Sequence, residues 1–386
     1  MKKKICILRA GDITYISRIH RAALALQECE NYSVSIVSIN PKNDCYSESY
    51  PYETIGINIE SRVIKSKFFF IFRVIEGIFK LYYTAKKLNA DIYIAITVED
   101  LLVAYTITRF SKAKLVYNAN ELEGDRKLFR TKFLQSLINK IIRSIESYIL
   151  KSTDSVIAAD IERGKVMEKW YGIKEVEIIR NVPIYQDNIT TNLIRETLSI
   201  NNETKVLLYQ GAMGLGRGLE QSILACANVN NQQFILVLLG DINNNYKNTL
   251  LNLANDNGFV QRLCFIPAVP WQDLLFWTAG ADISLVLIEN ISLSYYLAAP
   301  NKLYESIMAN TPYIASNFPE INHVHTIAKA GVLVNPENID EITSAIESFF
   351  DDDTLISRCK ANASIAKEIF NWDIEKIKLI SIIDNL

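Results

Sequence analysis

Short apolar runs alternate with amphipathic runs of helical period along the chain, and the alternation stops once and starts again. Ile5–Arg9, Ser33–Ser38, Asp91–Ala95, Lys114–Tyr117, Ser155–Ala158 and Glu177–Ile179 read as strands. Ile16–Gln27, Phe68–Leu88, Leu101–Arg109, Phe133–Lys151 and Arg163–Trp170 read as the helices between them. A polar stretch, Asp187 to Asn192, reads as a linker. The pattern resumes with strands at Lys205–Gln210, Phe234–Leu239, Leu263–Ile266, Ile283–Val286, Tyr313–Ala315 and Gly331–Val334. Strands spaced by helices of this length imply parallel sheets covered on both faces, hence an α/β chain. Two such sheets in tandem leave a cleft between them. The boundaries expected are 1–185, joined by a C-terminal helix 368–386, and 196–367. In doubly wound sheets ligands bind beyond the carboxyl ends of the strands.

Composition narrows the class. A length of 386 residues favours two domains over one. A net charge of −2 argues against a general nucleic-acid binder. Cys6, Cys29, Cys45, Cys226, Cys264 and Cys359 are scattered without a C-x-x-C pair, which reads as reduced thiols in a cytoplasmic protein. The start, Met1-Lys-Lys-Lys-Ile-Cys-Ile-Leu, has the look of a signal peptide, but Arg9 and Asp12 cut its apolar stretch short, so a buried first strand is expected. No span is long and apolar enough to cross a bilayer. Phe68–Tyr83 is aromatic and carries Arg73, Glu76 and Lys80, with Lys65, Lys67, Lys86 and Lys87 around it. Such a helix belongs either to a core with its cations in water or to an anionic membrane surface.

Two segments carry the chemistry. Pro300-Asn-Lys-Leu-Tyr-Glu305 opens a run that ends at Asn310-Thr-Pro312, and Pro is favoured at the first helical position. Lys302 puts a full positive charge where the helix dipole disfavours it, which implies an anion between the two, phosphate being the common choice. Glu305 shares its helix face with Lys302 and is placed to accept hydrogen bonds from a ribose diol. Gly211-Ala-Met-Gly214-Leu-Gly216-Arg217-Gly218 follows the strand at Lys205 and precedes the helical run Leu219–Asn228. A strand, glycine turn and helix let backbone amides approach a phosphate, and Arg217 supplies a planar fork for a pyrophosphate. Neither the P-loop nor the Gly-x-Gly-x-x-Gly spacing is present, so the turn alone is also compatible with an ordinary connection.

In this order along the chain, these motifs resemble those of glycosyltransferase family 4, in a bacterial polysaccharide-type form with the Pro-Asn-Lys-Leu-Tyr-Glu donor motif. Leu115-Val-Tyr-Asn-Ala-Asn-Glu121 looks like the family's strand-end motif, and Ser155-Val-Ile-Ala-Ala and Arg180-Asn-Val-Pro183 match the segments that follow. Tyr209 to Leu219 matches its phosphate turn. Leu238-Leu-Gly-Asp241 matches a strand end near the nucleotide, and Phe265-Ile-Pro-Ala-Val269 the region beside the base. Leu293 to Pro312 matches the donor helix, and Trp372 fits the C-terminal crossover helix.

The resemblance implies the GT-B fold, two Rossmann-like domains facing each other across a cleft, and a retaining hexosyltransferase. It implies a nucleotide sugar, UDP-linked by default, as co-substrate, with no metal or other cofactor. The acceptor would be a glycan or lipid-linked molecule of cell-surface polysaccharide synthesis. The enzyme would sit in the cytoplasm, peripheral on the inner face of the plasma membrane. Arg217 and Lys302 would hold the donor pyrophosphate, with Gly216 and Asn301 beside them, and Glu305 the ribose. Gly11 would approach the donor, and Asn120 would face the sugar. Attack would come from the front face, a donor phosphate oxygen taking the acceptor proton.

Two positions depart from the family pattern. Leu297 stands where the family carries the first of two glutamates, and Asn120 where many relatives have histidine. An amide can position a sugar hydroxyl but cannot take up a proton. These departures keep two rivals in view, an inactive GT-B-like subunit supporting a partner transferase and a nucleotide-sugar epimerase. Asp351-Asp-Asp353 reads as a solvated run, and His323-x-His325 lacks the further ligands a metal needs. Arg18, His20 and Arg21 read either as contacts to an anionic acceptor or as the solvated face of the first helix.

Overall fold

The computed structural model describes residues 2–14, 16–40, 50–63, 70–125 and 132–386. Cys45, Lys65, Lys67, Phe68 and Phe69, which the readings above include, lie outside the described residues. The chain divides into two compact units, Met1–Arg180 with Glu375–Leu386, and Asn181–Ile374.

The first unit is built on a sheet of seven parallel strands: β1 (Lys3–Arg9), β2 (Tyr32–Ile39), β3 (Glu53–Ile57), β4 (Ile92–Ala95), β5 (Lys114–Ala119), β6 (Ser155–Ala158) and β7 (Glu177–Ile178). Their order across the sheet is β3-β2-β1-β4-β5-β6-β7. Ile5 to Leu8 in β1 and all of β4 are buried, as expected of strands with helices on both faces. Strand β3 was absent from the sequence reading. It is an edge strand, half-exposed, and its Glu-Thr-Ile-Gly-Ile carries too little apolar character to stand out. Ser35 in β2 fixes it by donating to Glu53 Oε2 at 2.8 Å. The helix expected from Leu101 starts earlier, at Val98. Asp100 accepts the Thr97 N–H at 2.9 Å and the Thr97 hydroxyl at 2.9 Å, which closes the first turn ahead of the apolar run.

The second unit has six parallel strands: β8 (Lys205–Gln210), β9 (Phe234–Leu239), β10 (Leu263–Ile266), β11 (Ile283–Val286), β12 (Tyr313–Ser316) and β13 (Gly331–Val334). The order is β10-β9-β8-β11-β12-β13, so the chain winds outward from β8, returns, and winds the other way from β11. The carboxyl ends of β8 and β11 therefore flank the topological switch point, where such sheets leave a crevice. Alternate residues of β8 enter opposite cores: Leu207 and Tyr209 join one, Val206 and Leu208 the other.

The last helix, Trp372–Asp384, begins in the second unit and ends in the first. The expected boundaries at 185 and 368 fall inside the second unit. Tyr185 donates to Glu368 at 2.6 Å and the Trp372 N–H to the Pro183 carbonyl at 2.8 Å, so both stretches stay there. Glu375 accepts the Arg180 N–H at 2.9 Å and belongs to the first unit.

Candidate functional site

After Gln210 the backbone takes positive φ at Gly211, Gly216 and Gly218. At the last two glycine is needed for space as well. A Cβ on Gly216 would lie 2.4 Å from Ile291 Cδ1, and one on Gly218 2.5 Å from Leu287 Cβ. The turn is thus pressed against the segment that follows β11. The Glu289 N–H donates to the Gly216 carbonyl at 3.0 Å, and Glu289 Oε1 accepts the Gly218 N–H at 3.3 Å. Gly218 is the N-cap of the helix Leu219–Asn228. Half-buried Arg217, just before it, holds its guanidinium over the Tyr295 ring, 4.8 Å from the centroid.

The donor-motif helix is Asn301–Met308. Pro300 precedes it in an extended conformation and is the N-cap, one place before the first-helical position expected, because the residue after it is the first to adopt helical dihedrals. Lys302 is only 6 % exposed. Its Nζ sits 3.6 Å from the centroid of the Tyr209 ring and has no hydrogen-bond partner among the described residues. Burial pushes the ammonium well below its ordinary pKa, Arg217 pushes the same way, and Glu305 partly opposes them. Arg217, remote in sequence, therefore shares one electrostatic environment with Lys302 and Glu305.

Glu305 is half-buried and held from below. Its Oε2 accepts from Gln210 Nε2 at 2.6 Å, and Gln210 Oε1 accepts the Thr278 hydroxyl at 2.7 Å. The Thr311 hydroxyl donates to the Thr278 carbonyl at 2.9 Å. Sequence reading missed Gln210 and Thr278; the one cue to Gln210 was its place, closing an apolar strand directly before the glycine turn. Asn301 is exposed, and its Oδ1 accepts from Asn181 Nδ2 at 2.7 Å. Leu297 is buried, 6 % exposed. Gly216, Arg217, Asn301, Lys302 and Glu305 all belong to the second unit.

Residues 190–365 match the family model described as Glycosyl transferases group 1. This group 1 match takes in all five of those residues. The whole chain resembles solved structures of the GT-B fold. A sucrose-phosphate synthase from Thermosynechococcus elongatus superposes with a TM-score of 0.81 at 16 % identity, covering 100 % of this chain and 99 % of that one. Anabaena HepE in complex with UDP-glucose gives 0.74 at 15 % identity, covering 99 % and 100 %. WaaG, a glycosyltransferase involved in lipopolysaccharide biosynthesis, gives 0.73 at 16 % identity, covering 98 % and 99 %. At such identities the likeness establishes the fold, which is GT-B. A search of curated proteins by sequence returned no match.

The remaining sequence candidates lie in the first unit, apart from the histidine pair. Gly11 follows β1, and the preceding Ala10 N–H donates to Asp100 at 2.5 Å. Asn120 follows β5; its carbonyl accepts from Arg163 Nη1 at 2.8 Å, and its Oδ1 is buried without a hydrogen-bond partner. Arg18, His20 and Arg21 do not form a solvated face, for all three are buried. Arg18 Nη2 donates to Asn118 Oδ1 at 2.5 Å, and the His20 ring nitrogens meet the Tyr52 hydroxyl at 2.6 Å and the Ile13 carbonyl at 2.9 Å. In the second unit, His325 Nδ1 lies 3.1 Å from the Tyr313 hydroxyl. Among the described residues no group of three or more His, Cys, Asp or Glu side chains is arranged to hold a metal ion.

Proposed function

We propose that the chain is a retaining glycosyltransferase that moves a sugar from a UDP-linked donor to a glycan or lipid-linked acceptor of cell-surface polysaccharide. One observation carries this reading above the rest: the buried Lys302 ammonium, beside Arg217 and without a hydrogen-bond partner among the described residues. A buried cation is costly unless paired, so the site is built for an anion it binds in function. The group 1 match over the same residues supports a nucleotide sugar as that anion. The HepE structure in complex with UDP-glucose motivates UDP as the nucleotide.

In this reading Arg217 and Lys302 clamp the diphosphate, and the positive end of the donor-motif helix adds to them. Charge building on the leaving UDP is stabilised as the glycosidic bond breaks. Glu305, held by Gln210, accepts from the ribose diol. Asn120 orients the sugar by hydrogen bonding, since its amide cannot exchange a proton. The acceptor hydroxyl attacks from the face the UDP is leaving and passes its proton to a donor phosphate oxygen. Isothermal titration with UDP tests the clamp. Arg217→Ala is expected to raise Kd roughly tenfold or more, the loss of a charged hydrogen bond or two. Unaltered UDP affinity together with normal turnover would refute the assignment.

A further inference from the structure

A groove separate from the clamp lies in the same unit, one strand further along the sheet. Strand β12 pairs with β11. At its carboxyl end the Ser316 hydroxyl donates to the Ile288 carbonyl at 2.8 Å and accepts the Ile288 N–H at 2.9 Å, so the two strand ends are tied together. The chain then turns through Asn317 and Phe318 into the helix Pro319–Ala328. Tyr296, which ends the short helix Leu293–Tyr296, meets this turn: its ring lies 5.0 Å from that of Phe318, inclined at 57°. The residue before it, Tyr295, is the one that carries Arg217 over its ring, so groove and clamp adjoin through one short helix. The two rings and the helix Pro319–Ala328 line a groove of about 540 Å³, within the range of small-ligand sites. Phe318 is buried in it, whereas Tyr296 and Ile327 stand 36 % and 43 % exposed.

The lining decides the ligand. Among the described residues no carboxylate, ammonium or guanidinium lines the groove. A phosphate-bearing ligand needs the cations that the clamp has and this groove lacks. The polar groups here are amides and an imidazole, all exposed: Asn317, Asn322 and His323. Asn322 Nδ2 donates to Asn317 Oδ1 at 2.9 Å, which sets the two amides against each other. That pairing leaves Asn317 Nδ2 to donate and a lone pair of Asn322 Oδ1 to accept. A donor and an acceptor side by side match the neighbouring hydroxyls of a sugar ring, each of which does both. The exposed Tyr296 ring with Ile327 suits the other side of such a ring, where a face of C–H bonds rests on the electron-rich face of an aromatic.

We propose that this groove is a saccharide subsite that holds an uncharged stretch of glycan beside the clamp. The inference goes beyond the transfer reaction, and its test uses no donor. The full chain is titrated with three neutral trisaccharides, maltotriose, cellotriose and laminaritriose, and followed by saturation-transfer NMR. At least one is expected to bind, with saturation strongest at the C–H protons of one sugar face and an affinity that added salt leaves unchanged. Tyr296→Ala and the double variant Asn322→Ala/His323→Ala are each expected to raise its Kd roughly tenfold, the loss of a ring contact or of two hydrogen bonds. The double variant alters exposed side chains only, and parental UDP affinity in both variants shows that the unit is intact. Arg217→Ala is expected to bind the trisaccharide as the parent does. Binding of none of the three overturns the proposal, as does parental binding by both groove variants. Loss of the trisaccharide in Arg217→Ala overturns it too, because the sugar then occupies the clamp.

Discussion

Lys302 concentrates the tension between stability and function. Its ammonium is buried over Tyr209 and pushed toward the neutral form by desolvation and by Arg217. Its folded pKa lies below its unfolded value, so the unfolded chain binds more protons in between, and stability rises with pH across that window. Lys302→Met keeps the stem and removes the charge. It is expected to stabilise the second unit at neutral pH by roughly 1–2 kcal/mol when no nucleotide is added, and to flatten that pH slope. Thermal unfolding across pH checks this, and a destabilised variant with the parental slope would count against it. Glu146 in the first unit has the opposite sign. Burial raises its carboxyl to about 6, so the native state holds the extra proton, and its contribution to stability falls as pH rises from about 4 to about 6. Glu146→Gln is expected to remove that fall, as chemical denaturation at pH 4 and 7 would show. At this scale Lys302 was readable as a cation set against a helix dipole. Its stacking on Tyr209 was not, because Lys302 and Tyr209 meet only when β8 and the donor-motif helix are side by side.

The decisive element is the glycine turn between β8 and the helix Leu219–Asn228. Gly218 adopts φ +67°, and its Cβ position is occupied by Leu287. Gly258 has the same φ, +67°, with nothing within 4 Å of its Cβ position. The pair makes a controlled comparison. Both alanine variants incur the left-handed backbone cost, about 1–2 kcal/mol, but only Gly218→Ala adds a collision at the site. Gly218→Ala is expected to lose more stability and to weaken UDP binding, while Gly258→Ala binds UDP normally. Equal binding by both would mean that the turn does not shape the site. The turn was legible from its glycines and the arginine among them. The Gln210 relay to Glu305 was not, since a glutamine ending a strand carries no periodic signal and its partners, Glu305 and Thr278, come from two other segments.

Across the whole chain, the order of strands and helices was legible because every parallel strand needs a crossover helix, and the apolar runs show both. What escaped was the edge strand Glu53–Ile57, too polar to register, and the start at Val98, set by a capping box rather than by apolar spacing. The second unit contains its own two cores and five of the six residues expected at the donor, Gly11 being in the first unit. A fragment spanning residues 181–374 is therefore expected to unfold cooperatively and to bind UDP without catalysing transfer; a fragment that folds but ignores UDP would place the nucleotide elsewhere. The central claim, that a buried lysine awaits the donor's diphosphate, is tested most directly on the full chain by titrating UDP in buffers of different ionisation enthalpy. The account predicts that the diphosphate strengthens the hold of Lys302 on its proton, so that proton uptake on binding grows as pH is raised, and that both this uptake and most of the affinity are lost in Lys302→Met. Parental affinity in that variant, with the same proton exchange, would contradict it.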